Sequence, residues 1–131
     1  MKPARSFNWP RAHWIVGTFT LMMFPLAGLY MRYVAKVPQL PDAPRLMFRS
    51  RFIFLLLIAT VNLGLSYAKP ERLSQRLASF LILAAPLILF VSFFVDPGRG
   101  VRSSAWTDFT MRGIFVAAIL LAVANRPRRS A

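Results

Sequence analysis

Cysteine is absent from this chain, histidine occurs once, and four residues are acidic. The missing cysteine excludes disulfides, thiolate metal sites and thiol nucleophiles. A lone histidine, His13, excludes bis-histidine haem ligation within one chain. It falls in a basic N-terminal tail and reads as an interfacial residue rather than a ligand. The acids Asp42, Glu71, Asp96 and Asp108 fall in expected loops or at expected helix starts, so none stands at membrane depth. Proton-coupled transporters usually keep an ionisable group there. A catalytic site needs a sheltered proton carrier, nucleophile or metal. None is offered here, so the expectation is a protein that is not an enzyme, with no metal or cofactor.

What is abundant is apolar surface and positive charge. Hydrophobic residues make up 56% of 131 positions, and the mean hydropathy is +0.51. The net charge is +13, from 14 Arg and 3 Lys. In a soluble protein that charge would suggest nucleic acid. Here the cations sit at the ends of apolar runs, where they meet lipid phosphates, so nucleic acid is not an expected partner.

Four apolar stretches, bounded by Arg or Lys and by proline-bearing segments, predict four spanning helices. They lie near 14–34, 52–68, 77–95 and 107–125 of a single transmembrane domain, with basic termini at 1–13 and 126–131. About 20 residues cross a bilayer core. A cleavable signal peptide is the rival reading of the first stretch, but its apolar run is too long and Tyr33-Val34-Ala35-Lys36 is a poor cleavage site. Trp9 and Trp14 read as interface anchors. Pro25 is expected to kink the first helix. Pro38, Pro41 and Pro44 predict an extended loop over Ala35 to Met47. Ser74 is a candidate cap for the third helix, and Asp96 to Gly100 has turn chemistry. The fourth helix is the weakest, because Arg112 interrupts it. Its long stem lifts the charge to the interface if the residue lies within two turns of the helix start. The tails Met1 to Arg11 and Arg126 to Ala131 are expected to pack poorly against the chain's own helices.

Four spans put both termini on one side, with nine basic residues there and eight opposite. That balance barely orients the protein; the reading leans to cytoplasmic termini.

Sliding the chain by 61 residues sets 15–63 against 76–124, and nine of the 49 pairs are identical. They include Pro25/Pro86, Phe48/Phe109, Arg51/Arg112, Ile53/Ile114, Phe54/Phe115 and Ile58/Ile119. The pattern reads as two tandem-repeated helical hairpins in parallel orientation. The alternative is that membrane hairpins converge on one grammar.

The polar residues within spans are the site candidates. Arg51 and Arg112 read either as contacts for an anion or lipid phosphate, sharing one headgroup if the repeat holds, or as snorkelling side chains. Asn62 lies near the middle of the second span and wants a hydrogen-bond partner. Thr60, Gly64 and Ala68 form a ridge of small residues at helical spacing, and Gly113 and Ala117 form another on the fourth helix. Such ridges let helices approach closely, either each other or another protein. Phe52, Phe54 and Phe80 could meet a quinone, pigment or lipid tail; aromatic belts explain them more simply.

Residues 47–68, with Phe48-Arg49-Ser50-Arg51 entering the helix and Asn62-Leu63-Gly64-Leu65 within it, resemble small bacterial four-helix membrane proteins of unknown function. The resemblance implies a bacterial origin, hence a cytoplasmic (inner) membrane location, and brings no activity. The functional expectation is a non-catalytic, multi-pass accessory or structural subunit, packing against other integral membrane proteins and against lipids with anionic headgroups. A small oligomeric transporter or channel, with Thr60, Asn62 and Ser66 lining a narrow path, is the alternative.

Overall fold

The first helix starts earlier than hydropathy alone places it. Asn8 caps it, its Oδ1 accepting from the Arg11 backbone N–H at 3.2 Å, with Pro10 in the first turn. Both choices suit a helix start, because the first turn's N–H groups have no intrahelical acceptor. The computed structural model describes residues 7–95 and 105–124. Helix α1 spans Trp9–Leu29 and runs through Pro25. Its end loosens into a π-helical turn, Tyr30–Val34, where the Ala35 N–H reaches the Tyr30 carbonyl at 2.9 Å. Lys36 then takes a left-handed backbone conformation (φ 47°) ahead of a 3₁₀ turn, Val37–Gln39.

Helix α2 spans Asp42–Leu65, so the loop expected over Ala35 to Met47 is half helix. Pro44 is no obstacle, because it sits in the first turn, where no N–H is needed. Asp42 stands at the positive end of the helix dipole and pairs with Arg45. Helix α3 spans Leu73–Val95 and runs through Pro86. Ser74 lies inside it rather than capping it. Gln75 does that work, its Oε1 accepting from the backbone N–H groups of Glu71 and Arg72 at 2.9 and 3.0 Å. Helix α4 spans Ala105–Ala124. The expected turn at Asp96 to Gly100 lies outside the described residues.

No strand occurs among the described residues. Among the described residues, three helical segments are long and apolar enough to cross a membrane: Trp9–Val34, Asp42–Leu65 and Leu73–Val95, of 26, 24 and 23 residues. At about 1.5 Å per residue even the shortest reaches roughly 34 Å, enough for a hydrocarbon core. Helix α4 has 20 residues and carries Asp108 and Arg112.

α1 packs on α2 and α3, α2 on α3, and α4 on α3, with little or no packing of α4 on α2. The core between them is built from Leu55, Ile58, Ile82, Leu89 and Phe93, interleaved with Ala59, Ala78, Ala85 and Ala117. Small residues at these positions bring helix axes together, so that dispersion between close-packed atoms can hold helices that lipid would otherwise separate. Phe93 anchors one end of the bundle, with Phe48 5.4 Å and Tyr30 6.1 Å away, ring centroid to centroid. At the other end Phe7 and Trp9 meet edge to face at 4.7 Å and share a cavity with Phe80, Leu83 and Leu87 of α3. Phe7 nevertheless stays 61% exposed, and of residues 7–11 only Trp9 and Pro10 are half-buried. The remainder of both tails lies outside the described residues.

Candidate functional site

Among the described residues, two links join buried polar side chains of different helices. The first joins three helices. Asn62 of α2 is fully buried, and its Nδ2 donates to the Ile58 carbonyl one turn back (2.9 Å) and to the Ile82 carbonyl of α3 (3.3 Å). Those two acceptors fix which end of the amide is nitrogen. Asn62 Oδ1 therefore faces His13 of α1 and accepts from its Nδ1 at 2.8 Å. With Nδ1 the donor, a neutral ring carries its lone pair on Nε2, which is buried and has no partner in the structure. His13 is thus not a tail residue: it is fully buried in the second turn of α1.

Gly17, one turn further along α1, makes this link possible. A Cβ there would lie 2.9 Å from the Leu63 backbone nitrogen and 3.1 Å from Asn62 Cβ. Helices α1 and α2 therefore touch nearly backbone to backbone beside the His13–Asn62 bond. Thr20 continues the stripe, buried with its hydroxyl returned to the Val16 carbonyl at 2.8 Å. His13, Gly17 and Thr20 recur at i, i+4 and i+7, one face of a helix. That spacing is visible in the sequence; it goes unread once His13 is assigned to a tail.

The second link lies toward the other end of α2. Arg51 is 4% exposed, and its Nε donates to Ser92 Oγ of α3 at 3.0 Å. Its terminal nitrogens reach Ser50 Oγ (3.3 Å) and Met47 Sδ (3.8 Å). Arg112, its partner in the 61-residue register, is exposed on α4. The two guanidinium groups therefore occupy different environments, one turned into the helix bundle and one outward.

The small-residue ridge expected on α2 is cut short, because the helix ends at Leu65 and Ala68 lies beyond it, beside Ser79 and Leu121. Thr60 is exposed, and Gly64 has open space where a Cβ would project. The ridge of α4 faces α3 instead: Ala117 is fully buried, and a Cβ on Gly113 would just touch Leu81 Cδ2 at 4.0 Å. The expected packing of these two ridges on each other is not how the helices meet. Nor do Thr60, Asn62 and Ser66 line one path. Asn62 is buried in the first link, while Thr60 and Ser66 return their hydroxyls to the carbonyls of Leu57 and Leu63.

Chemically, both links can hold helices in register, and neither presents a nucleophile to a cavity. Among the described residues no group of three or more His, Asp or Glu side chains is placed to hold a metal ion. No protein-family model, curated protein or solved structure matches this chain.

Proposed function

We propose that the protein is a non-catalytic, multi-pass membrane protein whose four helices all span, and that it works as an accessory subunit by packing against other integral membrane proteins and lipid. The observation that carries this reading is the unequal packing of the helices. α4 leans chiefly on α3, leaving Phe109, Phe115, Val116 and Ile119 exposed, while the Thr60–Gly64 ridge of α2 also lies open. Lipid chains can cover the aromatic and aliphatic face as well as protein can. A ridge of small residues is different. Lipid gains nothing special from it, whereas a helix gains close backbone approach. His13, Asn62, Arg51 and Ser92 support the same reading, because these buried side chains are spent on interhelical bonds. A transporter or channel stands second, since the polar residues expected to line its path are turned to their own backbones or to His13.

Spanning by α4 rests on Arg112, the eighth residue of a 20-residue helix. From there the guanidinium is about 10 Å from the helix start and can lift toward headgroups. The chain lacks cysteine, so single cysteines at Ser6 and Ser130 report topology without background. Labelling of both from the same face of sealed vesicles is the expected result, and opposite faces would remove the fourth span. A cysteine at Gly64 or Phe115, treated with a bifunctional thiol- and amine-reactive reagent in native membranes, should give a discrete higher-mass species. Absence of any such species at both positions would leave lipid as the sole neighbour.

A further inference from the structure

The corner where α1 ends and α2 begins holds a cavity of about 480 Å³ with an apolar floor and two arginines in its wall. Gly28, Met31, Val37 and Phe52 supply the floor; Arg32 and Arg49 supply the charge. Three local irregularities meet there: the π-helical turn carrying Arg32, the left-handed Lys36, and the 3₁₀ turn that brings Val37 over the cavity. Gly28 faces Phe52 across this floor, where a Cβ would come into ordinary contact with Phe52 Cζ at 3.4 Å and a larger side chain would fill the space. Among the described residues no carboxylate pairs with Arg32 or Arg49. Asp42, at the start of α2, pairs with Arg45. Two arginines in the wall of one groove repel each other, and a phosphate between them would remove that cost while accepting from both planar forks.

We propose that this groove binds one diacyl phospholipid with an anionic headgroup, its phosphate between Arg32 and Arg49 and the start of one acyl chain on Met31, Val37 and Phe52. The proposal rests on the membrane reading above. The position suits it: Arg32 stands in the last turn of the first membrane-long segment and Arg49 two turns into the second, the level of phosphates rather than of hydrocarbon. The volume suits it too, falling within the range of small-ligand sites, which are largely apolar with a few placed polar groups. Arg51 and Arg112 do not line this groove; the basic pair that shares one site comes from α1 and α2 rather than from positions 61 residues apart.

The full-length chain, purified in mild detergent and offered equal phosphatidylglycerol and phosphatidylcholine of matched acyl chains, should retain the anionic lipid preferentially in native mass spectrometry. Replacing both arginines (R32Q with R49Q) should cut retention of phosphatidylglycerol by about fivefold per arginine, roughly 25-fold together. Both side chains are exposed, so the variant should keep its helical spectrum. R76Q, on α3 and outside the groove, should change nothing. G28L, which fills the floor without touching charge, should weaken binding of both lipids. Millimolar inorganic phosphate should fail to displace phosphatidylglycerol; displacement would make this a simple anion site and overturn the lipid assignment. Equal retention by the wild type and the double arginine variant would also overturn it. Membrane extraction at alkaline pH separates the two levels. A chain that stays in the membrane but shows no lipid preference sinks only the groove, whereas a chain released by alkali sinks the membrane reading beneath it.

Discussion

Of the nine pairs among 49 that match in the 61-residue register, several stand in unlike surroundings. In the 61-residue register Phe48 faces Phe109, yet the first is 6% exposed and the second 61%. Ile58 and Ile119 differ in the same way, at 1% and 48%. Arg51 is folded against Ser92 while Arg112 points outward. The difference follows from neighbours rather than residues. α2 is flanked by α1 and α3, whereas α4 packs chiefly on α3. Identical side chains are therefore core in one hairpin and surface in the other. If a partner lies along α4, it supplies what α1 supplies to α2, and the two halves become equivalent in the assembly.

The sharpest break in this comparison is at Gly17. Its register partner is Ala78, also buried and already carrying a methyl group. The first hairpin has no room for one, because the obstacle at 2.9 Å is backbone, the Leu63 nitrogen, and cannot swing aside. Gly17→Val should force α1 from α2, stretch the His13–Asn62 bond and cost about 3 kcal/mol, toward the upper end for overpacked interiors. Helicity in detergent micelles followed through a denaturant titration measures it. Wild-type stability would mean that the first hairpin is no tighter than the second.

Phe48→Ala and Phe109→Ala test the difference directly. Phe48 packs on Phe93 inside the bundle, so truncation should cost about 3 kcal/mol, the low end of the range for a buried phenylalanine. Truncating Phe109 in the isolated protein should cost less than about 0.5 kcal/mol, as at an ordinary surface position. Equal losses in the same titration would contradict the placement of α4. An effect of Phe109→Ala on assembly alone would fit a partner covering that face.

Much of this was legible from the sequence, and the exceptions share a cause. Three of the four helices were read from apolar runs of membrane length, because length and hydropathy are local quantities. Their ends were misread where polar or proline residues extend a helix beyond its apolar stretch. Pro44 looks like a breaker but stands in a first turn, and Trp9 to His13 looked like a tail because Arg11 is charged. The placement of His13 followed from that error. The need of Asn62 for a hydrogen-bond partner was read from its depth, whereas the partners themselves are set by which helices meet, and that is not written in either segment alone. The ridge at Thr60 and Gly64 illustrates the limit best. The spacing announces a close approach, while only the fold tells which helix approaches, and here the actual close approach runs through Gly17.

The polar link in the first hairpin has no counterpart in the second, where Val123 holds the register position of Asn62. A double-mutant cycle apportions it. Asn62→Leu leaves the Ile82 carbonyl and His13 Nδ1 unpaired; His13→Phe leaves Asn62 Oδ1 unpaired. The coupling between the two should be about 0.6–1.7 kcal/mol, the range for hydrogen bonds between membrane helices. Coupling indistinguishable from zero would mean that Gly17 contact, and not the bond, sets the α1–α2 register.

The smallest expected effect on the isolated fold is also the one that separates folding from assembly. Gly64 and Gly17 both sit within helices, and only Gly17 is pressed by a neighbour. At Gly64 a methyl group meets nothing, and alanine is the better helix former, because glycine loses more backbone freedom on folding. Gly64→Ala should therefore stabilise the isolated chain by up to about 1 kcal/mol, less because Leu65 already ends the helix. The same methyl group would hold an approaching helix away from the ridge. If the open ridge is a docking face, Gly64→Ala should lower the yield of a crosslink formed from a cysteine at Phe115 or from a neighbouring ridge position in native membranes, while the purified protein becomes more stable. The two readouts move in opposite directions only if something outside this chain uses the ridge. Stabilisation with an unchanged crosslink pattern would assign the ridge to lipid and leave the α4 face as the sole candidate for a partner.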